Sequence, residues 1–197
     1  MNKPVVINVS LGSGLGPHDG FTSTEDWLTD RFDARPRAAY VCSAGNDAGS
    51  SQHGRLDFTG PDSVDVGIEL KDNPRVRTTY SYCETRSDIP ESMKVQIYYP
   101  PTAGPITVTF DPKDGEAPRA GPERGAAAVP VPVTFEGFEA VMTHVLEEQP
   151  RPYTGAGLLQ RSKFELEMKA KKDAAGKNPG YRDETYTLHV TAPGTIT

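Results

Sequence analysis

Long apolar runs and clusters of basic residues are both missing from this sequence of 197 residues. No stretch approaches the roughly 18 consecutive apolar residues that a membrane-crossing helix requires, so we expect no membrane span. Lys and Arg number 21 against 27 for Asp and Glu, which gives a net charge of −6. No basic run could neutralise a row of phosphates, and nucleic acid is therefore not an expected partner.

Cysteine is also scarce. The two present, Cys42 and Cys83, show no disulfide-framework spacing, so we expect plain buried thiols. The first residues run straight into the apolar segment 5–9, without the longer apolar region and cleavage site of a signal peptide. Export cannot be inferred from this end of the sequence.

Glycine and proline, in contrast, are plentiful, at 19 and 18 residues. Such a composition is typical of many turns between short strands. The chain is long enough to bury a core without the help of disulfides or metals. Its patterning changes near residue 55, and we predict two domains, 1–54 and 55–197, with β structure dominating overall.

The first domain contains a strand, helix, strand succession, which is an α/β signature. The β-branched run 5–9 (VVINV) predicts a strand buried on both faces. Hydroxyl residues followed by early acids predict a helix over 23–33. One face of this helix is expected to carry Trp27, Leu28 and Phe32. Residues 38–44 predict a second buried strand, parallel to the first and joined to it by a right-handed crossover.

The loops that follow these two strands emerge on the same edge of the predicted sheet. Ligands of open α/β sheets bind along the edge formed by the carboxyl ends of the strands. The loops 10–16 and 43–47 are therefore the natural candidates for a functional site.

From about residue 55 onward, short alternating segments are divided by proline and glycine, which predicts antiparallel strands. The predicted strands are 63–70, 76–83, 94–99, 106–110, 129–135, 140–146, 163–169 and 185–191. Apolar residues alternate with charges over 163–172, which indicates a half-buried strand with a solvated face. A two-sheet sandwich or jelly roll is the economical arrangement, with exposed loops at 112–125 and 173–180.

The two candidate loops resemble segments of the subtilisin-like serine peptidases, the subtilase family. Residues 7–12 (INVSLG) are similar to the family's I-N-x-S-L-G strand, and residues 43–47 (SAGND) to its A-A-G-N-E loop. One helix separates the two segments in the family, as predicted here, and residues 16–20 (GPHDG) resemble a loop of subtilases that carry a large insertion. By this resemblance, 1–54 is a fragment of the subtilase α/β core.

The resemblance implies roles for individual residues. Asn46 matches the asparagine whose side-chain amide donates to the oxyanion formed when the catalytic serine attacks a peptide carbonyl. Such a donor contributes about 2.7–4 kcal/mol of transition-state stabilisation, a magnitude that belongs to a subtilisin and is carried over with the resemblance. The residues that match the family's substrate-pairing strand are Ser10, Leu11 and Gly12. Those that match a wall of the pocket for the residue before the scissile bond are Ser43, Ala44 and Gly45.

The catalytic triad of the family is missing from these residues. The sequence contains no Asp-[ST]-Gly, His-Gly-Thr-His or Gly-Thr-Ser-Met-Ala segment. Four histidines lack that context: His18, His53, His144 and His189. In the family the Asp and His precede the S-L-G strand and the Ser follows the A-G-N loop. The resemblance therefore implies an interior segment of a serine endopeptidase that works through an acyl-enzyme, and we expect this chain alone to be inactive.

Some subtilases insert a β-rich domain between the asparagine loop and the serine, and residues 55–197 resemble such an insertion in position and strand content. Residues 186–190 (YTLHV) resemble the strand that closes those domains. The resemblance further implies a polypeptide substrate, the remainder of the catalytic domain as a partner, and secretion or a cell-envelope location. No cofactor or metal is expected in this chain, and any structural calcium would belong to the parent protein.

The glycine cluster 12–16 (GSGLG) resembles part of a dinucleotide-binding fingerprint. Pro17 occupies the position of the last glycine and no helix opens there, so we do not expect a phosphate site. The segment 111–115 (DPKDG) predicts a hairpin turn more strongly than a calcium-binding loop. Two His–Asp pairs without further ligands are more typical of surface loops than of metal sites: His18 with Asp19, and His53 with Asp57.

Two functions outside peptide hydrolysis stay open. The missing triad allows a catalytically inactive subtilase remnant whose β-sandwich acts as a binding or structural module. A carbohydrate-binding β domain would need an aromatic platform, for which the candidates are Tyr80, Tyr82, Tyr98 and Tyr99. Fold by itself does not support the second function, and strand alternation places half of these rings in the core.

Overall fold

A computed structural model describes residues 4–9, 22–42, 54–70, 92–112, 116–135, 138–151, 157–171 and 184–196. Strand accounts for 59% of this part of the chain, which contains one helix, so the prediction of a β-dominated protein is confirmed. The chain forms two compact units. One runs to Asp57 and includes Glu147–Arg161, and the other comprises Phe58–Leu146 and Ser162–Thr197.

The first unit contains the predicted strand, helix, strand succession. Strand β1 (Val5–Val9) pairs in parallel with strand β2 (Ala38–Cys42), and helix α1 (Ser23–Asp33) lies between them in sequence. A capping box begins the helix: the Thr22 hydroxyl accepts from the backbone N–H of Glu25 at 3.3 Å, and the Glu25 carboxylate accepts from that of Thr22 at 2.8 Å. The predicted first strand and helix are confirmed, and the predicted second strand is confirmed over 38–42, since 43–44 lie outside the described residues.

The predicted burial of these strands is wrong for the chain by itself. Val5 is 52% exposed, Val6 68% and Val41 48%. A two-stranded sheet with one helix covers only part of its apolar surface, and parallel strands become buried only when both faces are packed. Cys42 is likewise an exposed free thiol instead of a buried one, and Cys83 lies outside the described residues.

The helix presents a different face from the predicted one. Leu28 and Phe32, four residues apart, are half-buried, and the Phe32 ring lies 5.6 Å from the ring of Tyr40 on β2. Trp27 is 40% exposed, with the guanidinium of Arg31 6.0 Å from its ring centre. The reason is geometric, because neighbouring residues of a helix point about 100° apart and do not share a face.

From Asp62 onward, the described residues form eight strands in two four-stranded antiparallel sheets. They are β3 (Asp62–Leu70), β4 (Ser92–Tyr99), β5 (Thr107–Asp111), β6 (Arg119–Ala120), β7 (Val131–Thr134), β8 (Phe138–Arg151), β9 (Gly157–Ala170) and β10 (Glu184–Ala192). The sheet orders are β3-β10-β5-β6 and β4-β9-β8-β7. Seven of the predicted strands are confirmed, β8 and β9 extend further than predicted, and the predicted strand 76–83 lies outside the described residues.

The inward side chains of both sheets pack together in one hydrophobic cluster. Strand β9 contributes Phe164, Leu166 and Met168, each fully buried, which confirms the alternation predicted for this stretch. Phe110 of β5 meets the ring of Phe138 of β8 edge-on at 6.1 Å. Burying such a side chain contributes about 1.5–3 kcal/mol relative to leaving it exposed, so this cluster is the main source of stability in the second unit.

The stretch 112–125 is not the purely exposed loop that its composition predicts. Pro112 is buried, Arg119–Ala120 forms the short strand β6, and Gly121 and Arg124 are half-buried. The backbone N–H of Gly121 donates to the carbonyl of Val108 at 2.7 Å. The described part of the stretch, 112 and 116–125, is therefore packed within the second unit, and 113–115 lie outside the described residues. The other predicted loop, 173–180, lies outside the described residues.

Candidate functional site

The carboxyl ends of β1 and β2 lie side by side. Their parallel register pairs Val5 with Ala38 and continues without interruption to Val9 paired with Cys42. The chain therefore enters the two candidate loops from adjacent points on one edge of the sheet. This is the edge at which α/β sheets bind ligands.

The predicted site residues themselves lie outside the described residues. They are Ser10, Leu11, Gly12, Ser43, Ala44, Gly45 and Asn46. The same holds for His18, His53, and the tyrosines Tyr80 and Tyr82. What the structure brings together is the pair of strand ends from which the loops begin, and the roles of the loop residues stay predictions.

Two side chains of β2 interact near this edge. A hydrogen bond with the side chain of Cys42 is the main factor that raises the pKa of Tyr40. Tyr40 also packs on Phe32 of α1, which fixes its ring against the helix. The end of β2 thus carries the exposed thiol of Cys42 beside the hydroxyl of Tyr40, whose ring packs on the helix. Both residues directly precede the predicted loop 43–47.

An Asp–His–Asp cluster, made of Asp65, His189 and Asp111, lies on the outer face of the first sheet of the second unit. Nδ1 of His189 lies 2.5 Å from Asp65 Oδ1, and Nε2 lies 3.7 Å from Asp111 Oδ2. The hydrogen bond with Asp65, followed by the charges of both carboxylates, raises the pKa of His189. Because the carboxylates contact opposite nitrogens of one ring, a single cation could not be bound by all three side chains.

A second histidine is buried between the sheets of that unit. His144 is 2% exposed, its Nδ1 lies 3.1 Å from the carbonyl oxygen of Pro122, and its Nε2 lies 2.7 Å from the hydroxyl of Tyr99. A carbonyl only accepts, so Nδ1 carries the proton and Nε2 accepts from the tyrosine. Burial lowers the pKa of His144, which is therefore neutral at pH 7.

Arg124 continues this polar network. Its Nη1 donates to Ser162 Oγ at 2.7 Å and to the carbonyl oxygens of Ala103 and Pro101 at 3.3 and 3.4 Å. Its guanidinium lies 5.8 Å from the centre of the Tyr99 ring. These contacts attach the stretch 121–125 to β4 and β9. Ser162 is fully buried and accepts from Arg124, so this hydrogen bond joins the two residues inside the second unit.

Tyr99 of β4 does not contribute to a surface platform of the kind that a carbohydrate site would need. Tyr99 is 6% exposed and points into the polar network. The exposed side of β4 and β9 instead carries a charge ladder, in which Lys94 lies 3.3 Å from Glu167 and 3.6 Å from Glu165. Hydrogen bonding to Glu167, then the charge of Glu165, raises the pKa of Lys94. This surface is a solvated sheet face.

Sequence reasoning missed both histidine clusters. In the sequence, His144 and His189 show only that they lack the context of a catalytic triad. Strand alternation could have placed His189 and Asp65 on solvent-facing sides of their strands. Their proximity, however, depends on strands that lie 124 residues apart in sequence.

Within the described ranges, no group of three or more His, Cys, Asp and Glu side chains has the arrangement of a metal site. The same part of the chain contains no helix with the length and apolar character that a membrane crossing requires. Comparisons with known protein families, with curated proteins and with solved structures find no match to this chain.

Proposed function

We propose that this chain is an interior part of a subtilisin-like serine endopeptidase, with Asn46 in the oxyanion hole and the triad Asp, His and Ser supplied by residues outside this sequence. The observation that supports the proposal is the parallel pairing of β1 with β2, with Val9 opposite Cys42. It starts the two subtilase-like loops at neighbouring positions on one sheet edge. A shared site requires that arrangement.

The proposed chemistry divides the work between the two loops. The Asn46 amide donates to the oxyanion that forms as the serine attacks the peptide carbonyl, and the acyl-enzyme is then hydrolysed by water. Ser10, Leu11 and Gly12 pair with the extended backbone of a polypeptide substrate. The small side chains of Ser43, Ala44 and Gly45 leave room for the residue before the scissile bond.

The exposed apolar surface of the first unit fits a part of a larger sheet. Val5, Val6 and Val41 are about half exposed or more on strands whose composition is typical of full burial. We propose that the remainder of the peptidase catalytic domain covers these side chains. Residues 55–197 are then the inserted β domain, a sandwich or jelly roll by the common core of its two sheets, in a protein that is secreted or lies in the cell envelope.

A first experiment tests the missing triad. The purified 197-residue chain is expected to leave a denatured protein substrate intact and to remain unlabelled by a fluorophosphonate probe. The reason is that the proposed oxyanion donor, Asn46, is present without the catalytic serine that would attack the substrate or the probe. Steady hydrolysis that a serine-directed inhibitor abolishes would contradict the proposal.

A second experiment tests Asn46 in the parent protein. Sequencing the coding DNA on both sides should show Asp-[ST]-Gly and His-Gly-Thr-His upstream and Gly-Thr-Ser downstream, in frame. In that full-length enzyme, Asn46→Ala is expected to lower kcat by about 10²–10³ with little change in KM, because the donor acts in the transition state. Asn178→Ala, the same change in a predicted loop of the β domain, is the control and should leave kcat unaltered.

A second candidate function rests on the hydrophobic core that the second unit has of its own. Its hydrophobic cluster contains residues from Phe58 to Ile196 and includes none from the first unit. An inactive subtilase remnant could therefore keep this β unit as a binding or structural module. Stop codons close to both ends of the coding segment, in place of the triad motifs, would favour the remnant over the peptidase.

A further inference from the structure

The sheet order β3-β10-β5 places His189 between two carboxylates on neighbouring strands. His189 lies on the middle strand β10, directly opposite Asp65 on β3. Its partner on β5 is Thr109, and Asp111 lies two residues further along that strand, diagonal to the ring. The histidine therefore faces one carboxylate at 2.5 Å and the other at 3.7 Å, across three strands.

The contacts of His189 with Asp65 and with Asp111 depend differently on the protonation state of the ring. A carboxylate only accepts, so the ring N–H on Nδ1 donates to Asp65 in both protonation states. In the neutral ring, the lone pair of Nε2 faces the negative charge of Asp111, which is unfavourable. A second proton on Nε2 turns this contact into an attraction between opposite charges, and the positive charge of the ring also strengthens its hydrogen bond to Asp65 on β3.

We propose that the Asp65–His189–Asp111 cluster is a pH-responsive ionic link, in which a second proton on Nε2 of His189 ties β5 to the β3–β10 pair and holds β3 more firmly at mildly acidic pH. Among the described strands, β3 forms an edge of its sheet and pairs only with β10. An edge strand opens most readily, so a link to its neighbours changes its local stability first.

The direction of the pH effect follows from the surroundings of the ring. Asp65 and Asp111 are the ionisable groups that the described structure places against it, and Thr109, Thr187 and Thr191 beside them are uncharged. The hydrogen bond with Asp65 and the charges of both aspartates raise the pKa of His189 in the folded chain. Its contribution is therefore fully present below the unfolded pKa of about 6.5 and is lost as pH rises through the folded value.

An NMR titration of the His189 ring in the full chain tests the link. The wild-type pKa is expected above about 6.5, with a downward shift in Asp111→Asn and a larger one in Asp65→Asn. Asp62→Asn, a change at an exposed residue of the same strand, is the control and should shift the pKa less than either. A wild-type pKa at or below the ordinary value, or a pKa that Asp111→Asn leaves unchanged, would overturn the proposal.

Amide hydrogen exchange measures the consequence for β3. Protection of the β3 amides, corrected for intrinsic exchange, is expected to decrease between about pH 6 and about pH 8, the range in which histidine changes charge. In His189→Gln this loss of protection should disappear, while amides of β9 respond alike in both proteins. The same loss in His189→Gln as in wild type would show that the cluster does not hold the strand.

Discussion

The hydroxyl of Tyr99 donates to Nε2 of His144 over 2.7 Å, although 45 residues separate the two in sequence. Both side chains are at most 6% exposed. The second ring nitrogen of His144 is satisfied by the carbonyl of Pro122, so the neutral histidine has a partner at each nitrogen. The pair links β4 to β8 inside a core that is otherwise mostly apolar.

Tyr99→Phe is expected to lower the free energy of unfolding by about 1–3 kcal/mol, because it leaves Nε2 of His144 buried without a donor. Urea unfolding of the full chain at neutral pH measures the loss. The same substitution in a His144→Leu background is the control, and there it should cost much less. Equal costs in both backgrounds would show that the two side chains are not coupled.

The pH dependence of stability tests the neutral state of His144. Burial lowers its pKa in the folded chain, so the unfolded chain binds more protons at this site and the contribution of His144 to the free energy of unfolding falls as pH drops below about 6.5. In His144→Gln, whose amide can both donate and accept but cannot ionise, this fall should be smaller. Urea midpoints between about pH 5 and about pH 8 give the comparison, and identical slopes for the two proteins would contradict the buried neutral histidine.

Arg124→Ala is expected to lower the free energy of unfolding by about 1–3 kcal/mol, because Ser162 and the carbonyls of Pro101 and Ala103 lose their donor. Arg124→Lys keeps the charge but not the planar fork, so it should recover only part of the loss. The control is Arg119→Ala, at an exposed residue of β6, with an expected change within about 0.5 kcal/mol. Denaturant unfolding measures the free energy of unfolding of the three variants. Equal losses in Arg124→Ala and Arg119→Ala would argue against a specific role for Arg124.

Gly121→Ala is expected to destabilise the chain by about 1–3 kcal/mol through overpacking. A Cβ at this position would lie 2.8 Å from the Phe164 ring and 3.0 Å from the carbonyl oxygen of Val108. Neither can move easily, because Phe164 is fully buried and Val108 belongs to β5. Gly60→Ala, where a Cβ would meet nothing within 4 Å, is the matched control and should leave the thermal midpoint nearly unchanged. A Gly121→Ala protein as stable as that control would refute the close packing.

The positions of the helix and of most strands follow from the sequence because their signals are local. The capping pair Thr22 and Glu25 lies within one helical turn, and the alternation that identifies β9 is contained in a few residues. The same local signals failed for Trp27 and for the burial of β1, because exposure depends on what packs against an element. The roles assigned to Asn46 and its neighbouring loops rest on resemblance and stay predictions.

By itself, then, the sequence determined a β-dominated chain, the parallel strand, helix, strand succession near its start, and the apolar side of each long strand. Only the tertiary structure decided that β10 lies between β3 and β5, which brings His189 to two aspartates, and that Tyr99 meets His144 in the core. The physical reason is that strand register and sheet order come from the packing of one shared hydrophobic cluster. That packing involves residues that are distant in sequence, so no pattern within a short segment predicts it.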